Sequence, residues 1–282
     1  MIFWIASYPK SGNTWLRALL SAYYFSEDGI FEQSLLSNIS QFPQKIYFDG
    51  FRYNPAKITD TSNYWIKAQE KINLNKKIKF FKTHNILGSI NGNNFTNKKN
   101  TIGGIYILRD PRNVITSIKN HYEINYEEAL KFMTNEKKFI HNPFKKNDFS
   151  DFQFISSWER NYKSWINHKF FPMKIIKYED LQKNNFNLIK NVIEFINHVC
   201  HLKNEINKTK LKNSIESTSF SKLKNLEKNN GFIEAISSKS QNKKIPFFNM
   251  GIENNWKKIF NLEMQNKLNN QFKNNLKELD YI

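Results

Sequence analysis

Residues 2–25 read IFWIASYPKSGNTWLRALLSAYYF. Ile2–Ser7 is apolar, β-branched and aromatic, the composition of a short buried strand. Tyr8–Asn13 is a turn, punctuated by Pro9 and Gly12. From Thr14 to Phe25 the apolar residues Trp15, Leu16, Leu19, Leu20 and Tyr23 recur at helical spacing. A strand, a tight loop and a helix therefore follow one another at the start of the chain.

The same unit recurs downstream. Ile78–Thr83 and Ile105–Leu108 read as buried strands, and Lys174–Lys177 as a fourth. After the third strand, Asp110 is suited to cap a helix and Pro111 to open it. Helices are expected over Phe152–Asn167, Phe186–Ile196 and Leu262–Leu279, the last with Leu268, Phe272, Leu276 and Leu279 on one face. Residues Asn225–Met250 are polar and weakly periodic, and read as a long loop or lid. No repeat and no linker interrupts the pattern. Strands alternating with helices imply an α/β fold with a central parallel sheet flanked by helices, built as a single domain over residues 1–282. In such sheets ligands bind beyond the carboxyl ends of the strands, so the residues that follow each strand carry the functional reading.

Composition narrows the classes. The 282 residues carry 43 Lys+Arg against 25 Asp+Glu, a net charge of +18. That balance favours an anionic partner, although a Lys- and Asn-rich composition explains many lysines as solvated surface. One cysteine, Cys200, excludes a disulfide framework and a cysteine-built zinc site. No apolar run is long enough to span a bilayer, and residues 1–10 lack the pattern of a secretory leader. The expectation is a cytoplasmic protein.

Each strand end offers a group suited to phosphate. Lys10, Ser11, Gly12, Asn13 and Thr14 open the first helix. There, free N–H groups and the positive dipole end favour an anion, and Gly12 permits close approach. The order is not that of a Walker A loop, since the lysine precedes the glycine. Lys82 and His84 lie two residues apart and share a face of their strand, and a lysine beside an imidazole keeps it neutral. Arg109 is suited to a bidentate grip on phosphate, with Ser117 in the helix that follows. Tyr178, after the fourth strand, is placed to contact a base, to bond a phosphate or to roof the sheet edge.

On these residues the chain resembles the PAPS-dependent sulfotransferases of the cytosolic type, over nearly its whole length. Tyr8–Trp15 is similar to the family's 5′-phosphosulfate loop, Arg109 to Ser117 to its 3′-phosphate motif, and Lys82-Thr83-His84 to the segment with its catalytic histidine. Tyr178–Leu181 and Thr218-Ser219-Phe220 resemble segments near the adenine and 3′-phosphate, and Gly251 and Trp256 a C-terminal motif. The resemblance implies a three-layer P-loop-like fold. It also implies transfer of a sulfuryl group from PAPS to an acceptor hydroxyl, leaving PAP, with no metal. His84 would be the general base, Lys10 would stabilise charge on the bridging oxygen, and Lys82 would hold the sulfuryl or 5′-phosphate oxygens. Lys10, Ser11, Gly12, Asn13, Thr14, Trp15, Arg109, Ser117, Tyr178, Thr218, Phe220 and Gly251 would hold the donor.

The family's Arg-Lys before the glycine is replaced by Asn249-Met250, which leaves Lys239, Lys243 and Lys244 as candidate substitutes at the 3′-phosphate. No dimer motif is recognisable in Lys257–Asn266. Aromatic residues between Phe31 and Asn73 and between Tyr122 and Phe149 are candidates for the acceptor pocket or for core. The acceptor, a glycan, a lipid-linked sugar or a small alcohol or phenol, is left open. The competing readings are a P-loop kinase-like phosphotransferase and a basic nucleic-acid-binding protein. The first lacks the Walker A lysine, the second a recognisable motif, and no nucleic-acid partner is expected.

Overall fold

The structure is a computed structural model that describes residues 1–142, 147–183, 186–203, 205–238 and 244–282. Its strands are β1 (Ile2–Ser7), β2 (Ser40–Gln41), β3 (Lys79–Thr83), β4 (Ser89–Ile90), β5 (Asn93–Asn94), β6 (Thr101–Leu108), β7 (Phe139–Ile140), β8 (Gln153–Phe154) and β9 (Met173–Lys177). Five of them form one sheet in the order β2-β3-β1-β6-β9, and every pairing in it is parallel. β4 with β5 and β7 with β8 form short antiparallel pairs beside it.

Alternation along the central strands sorts the side chains into two cores. Trp4 and Ala6 of β1 and Tyr106 and Leu108 of β6 face one layer of helices: α2 (Trp65–Asn73), α3 (Pro111–Tyr122), α4 (Tyr126–Thr134), α5 (Trp158–Ile166), α10 (Trp256–Ile259), α11 (Leu262–Gln271) and α12 (Lys273–Glu278). Phe3 and Ile5, with Ile105 and Ile107, face the other layer. Its helices are α1 (Asn13–Phe25), α6 (Tyr178–Leu181), α7 (Phe186–Val199), α8 (Lys208–Ser217) and α9 (Phe220–Asn230). Both layers are apolar where they meet the sheet, so the central strands are buried on both faces, as a parallel sheet requires.

Several boundaries differ from the sequence reading, for local reasons. β6 begins at Thr101, four residues before the apolar run, because Gly103 and Gly104 carry no side chain to signal it. A Cβ at Gly103 would stand 2.5 Å from Val199 Cγ1. The helix expected over Phe152–Asn167 covers only Trp158–Ile166: Gln153 and Phe154 pair with β7, and Ser157 caps the helix start. The C-terminal helix breaks at Phe272 into α11 and α12. Asn225–Asn230 belongs to α9, so the irregular segment begins at Gly231. The two-residue strand β2 is too short to leave a periodic signal.

All the sheet strands run the same way, so Ser7, Thr83, Leu108 and Lys177 end at one edge. With Gln41 of β2 beside Lys82, five chain segments leave the sheet there side by side.

Candidate active site

The loop after β1 is built around Gly12, which caps α1 at φ 96°. The Tyr178 ring fills the space a side chain would need: a Cβ at residue 12 would sit 2.4 Å from Tyr178 Cδ2. Only glycine combines that conformation with that contact. The start of α1 has no side-chain cap and no acidic residue in its first turn. Its positive end is thus left facing the site. Ser11 is fully buried, and its Oγ has no hydrogen-bond partner among the described residues.

His84 follows β3 directly. Its backbone is pinned on both sides, N–H to Gln153 Oε1 at 2.7 Å and C=O from Asn161 Nδ2 at 2.9 Å. Its ring Nδ1 lies 2.8 Å from the Ser7 carbonyl. A carbonyl only accepts, so Nδ1 carries the proton and the lone pair resides on Nε2. Burial, then the Lys82 ammonium, pushes the imidazole down to about 3, so the ring is neutral at physiological pH.

Arg109 does not pair with its sequence neighbour Asp110. Asp110 instead caps α3 and binds Arg112 at 2.7 Å. Arg109 Nη1 donates to Lys10 C=O at 2.8 Å and Ser117 Oγ at 3.2 Å, and the guanidinium lies 4.1 Å above the Tyr178 ring. Its Nε is buried and has no partner among the described residues. Asn254 Nδ2 also donates to Ser117 Oγ, at 3.2 Å, bringing the C-terminal segment to the same point.

Lys10 sits at φ 66°. Its Nζ lies 3.4 Å from His121 Nδ1 and 4.3 Å from the Phe247 ring centroid. Burial, with Arg109 nearby, lowers its ammonium to about 8. Lys82 Nζ donates to Glu234 Oε1 at 3.0 Å.

The other expected residues pack around this group. Trp15 stacks edge-on against Tyr178 at 5.6 Å and donates its Nε1 to the Thr218 carbonyl at 2.7 Å. The Thr218 hydroxyl is engaged by Ser214 C=O. The Phe220 ring fills the space beside Gly251, where a Cβ would come within 2.4 Å. Asn13 Nδ2 bonds Ile5 C=O and Ser7 Oγ, tying the loop back to β1. Lys244 is exposed; Lys239 and Lys243 lie outside the described residues. Of the candidate acceptor aromatics, Phe48, Trp65 and Phe132 belong to the core, and Phe51, Tyr53, Tyr64, Tyr126 and Phe139 pack partly buried against it.

Beside Asn254, the residues His121, Arg17 and Glu234 at the site were absent from the sequence reading. His121 lies one helical turn beyond Ser117 on α3, a spacing visible in the sequence. Arg17 follows one turn after Asn13 on α1. Glu234 comes from the polar segment after α9, with no local signal. Its carboxylate accepts from Thr14 Oγ1 at 2.6 Å, Arg17 Nη1 at 2.6 Å and Lys82 Nζ at 3.0 Å. Burial opposes its ionisation, but Lys82 and Arg17 outweigh that and hold it well below the usual carboxylate range.

A site with a helix N-terminus, two lysines, an arginine and a neutral imidazole can hold a polyanion and accept a proton beside it. Comparison with known proteins gives that geometry a context. A family model described as the sulfotransferase domain matches residues 2–280. The chain is 27% identical over 277 residues to flavonol 3-sulfotransferase of Flaveria bidentis, spanning 94% of this chain and 78% of that one. It is 25% identical over 268 residues to luciferin sulfotransferase of Photinus pyralis, spanning 90% and 65%. Mouse sulfotransferase SULT7A1, solved with PAP, superimposes at TM-score 0.61 and 19% identity over 99% of this chain and 85% of that one. Retinol dehydratase, solved with androsterone and the inactive cofactor PAP, does so at 0.54 and 18%, over 98% and 80%. At these identities the solved structures establish a shared fold.

Proposed function

The chain belongs to the sulfotransferase family, and on that premise we propose that it moves a sulfuryl group from PAPS to an acceptor hydroxyl, with His84 as the general base. The observation that carries the reading is the convergence of Lys10, Lys82, His84 and the Arg109–Ser117 pair at one edge of a parallel sheet. The residues fit such a donor on their own evidence. Ser11 Oγ and Arg109 Nε are buried donors without partners among the described residues, and each costs roughly 1–3 kcal/mol until an acceptor reaches it. A carboxylate, Glu234, already lies against Thr14 and Lys82, so the seat accepts an anion.

PAPS supplies an activated sulfuryl group on a 5′-phosphate. In this reading the loop from Ser11 to Thr14 binds that phosphate through the α1 N-terminus. Arg109 and Ser117 bind the 3′-phosphate, and Trp15, Tyr178, Thr218, Phe220 and Gly251 enclose the adenine end. Lys10 stabilises the charge that develops as the bond to the bridging oxygen breaks, and Lys82 holds the sulfuryl or 5′-phosphate oxygens. His84 takes the acceptor proton on Nε2, while the Ser7 carbonyl holds the other face of the ring, a role typically worth about 10²–10⁴-fold. The protein's own cations neutralise the charge. The match over 2–280 supports one sulfotransferase domain. Acceptor hydroxyls of phenols, alcohols and saccharides all meet the chemistry of His84. Among the described residues no helix is long and apolar enough to cross a membrane, which is compatible with cytoplasmic work.

Thermal unfolding of the full chain tests the donor. PAP raises the melting temperature and Mg-ATP does not, and Arg109→Ala weakens PAP at least tenfold. Stabilisation by Mg-ATP with none by PAP would replace the reading with a phosphotransferase.

A further inference from the structure

Resting on that donor reading, we infer that Glu234 is a displaceable carboxylate: it holds the anion seat of the donor site in the donor-free protein and leaves Thr14 and Lys82 when a phosphate group arrives.

Glu234 engages the seat through both carboxylate oxygens. Oε2 accepts from Thr14 Oγ1, and Oε1 from both Lys82 Nζ and Arg17 Nη1. These three groups differ in what else holds them. Arg17 is tied to the fold independently, through Nε and Nη2 to the carbonyls of Leu36 and Ile39. For the Thr14 hydroxyl and the Lys82 ammonium, Glu234 is the hydrogen-bond partner that the described residues show. Thr14 lies in the first turn of α1, where the helix offers its positive end to an anion. A carboxylate and a phosphate therefore compete for the same donors, and a carboxylate left beside them repels the phosphate.

The backbone that carries Glu234 can yield. Its neighbour Ile233 is 67% exposed. Gln33 donates to the Gly231 carbonyl at 2.9 Å and accepts from the Ile233 N–H at 3.0 Å, and the Ala235 N–H closes a turn on the Phe232 carbonyl. Phe232, buried against Phe247 and Phe248, is the fixed point about which the next residues move. Phe247 is also the ring over Lys10. Glu234 and Phe247 thus cover both lysines, Lys82 with a charge and Lys10 with an aromatic face. Displacing Glu234 lowers donor affinity by the strength of the contacts it gives up, and so sets the donor concentration at which the site fills.

Titration of the full chain with PAP, and separately with inorganic pyrophosphate, tests this. Glu234→Gln keeps an acceptor for Arg17 and removes the charge. It is expected to bind both ligands at least tenfold more tightly than the unaltered chain. In the unaltered chain, hydrogen exchange at the Ile233 and Ala235 amides is expected to quicken on saturation with PAP, a readout that needs no variant. Equal or weaker PAP binding by a folded Glu234→Gln, or slower exchange at those amides, overturns the displacement and makes Glu234 a fixed brace of Lys82. If neither chain binds PAP, the donor reading falls, and this inference falls with it.

Discussion

His84 shows how little a single residue type says by itself. A Lys-x-His triplet is common, and its meaning here comes from the 2.8 Å contact between Nδ1 and the Ser7 carbonyl. That contact fixes which nitrogen can take a proton. His84→Gln is therefore expected to lower transfer by about 10²–10⁴-fold while the dissociation constant for PAP changes little, as read by single-turnover kinetics beside calorimetry. Lys10 gives a second expectation. Its ammonium titrates near 8 because it is buried beside Arg109. The charged form is the useful one, and kcat/KM for the donor reports the free protein. That parameter should fall as pH rises through about 8, and a flat profile to pH 9.5 would separate Lys10 from donor capture.

Among the elements, α3 does the most positioning. Its N-cap Asp110 accepts from the Arg112 N–H, and the Asp110 carboxylate also binds the Arg112 guanidinium. Asp110 is 5% and Arg112 3% exposed. The helix they start carries Ser117 and His121 to Arg109 and Lys10. Asp110→Ala leaves Arg112 buried without its carboxylate, a loss of roughly 3–5 kcal/mol, measurable by urea unfolding, and PAP binding should weaken with it. This element was legible in the sequence, because the cap, the proline and the serine are local to it. The loop Lys10–Thr14 was legible for the same reason. What escaped were contributions whose meaning lies in distant contacts. Glu234 is one acidic residue in a polar stretch until the fold brings it to Thr14, 220 positions away. Asn254 reaches Ser117 across 137 positions. The opening of β6 escaped because glycines leave no apolar mark.

At the scale of the whole molecule, the charge of +18 divides unevenly. Lys10, Lys82, Arg17 and Arg109 gather at one edge of the sheet, and burial alters what they and their neighbours bind. His84 and His121 are both pushed down to about 3, chiefly by burial and next by the adjacent lysine. In the unfolded chain they titrate near 6.5. Below that pH the unfolded state takes up protons that the folded state refuses. Stability present above pH 6.5 is therefore lost as pH falls toward 3, by about 1.4 kcal/mol per pH unit for each ring. Melting temperatures should hold from pH 7.5 to about 6.5 and then fall toward pH 4.5, and His121→Gln should flatten the slope. A slope unchanged by that substitution would mean His121 is solvated.

Sulfuryl transfer itself can be followed through the sulfur. The full chain is incubated with PAPS labelled on the sulfuryl group and a panel of phenols, alcohols and saccharides. Label is expected on at least one acceptor, with an equal amount of PAP formed, and almost none with His84→Gln. Label that stays on the donor for every acceptor, or moves equally well without His84, would contradict sulfuryl transfer with His84 as the base.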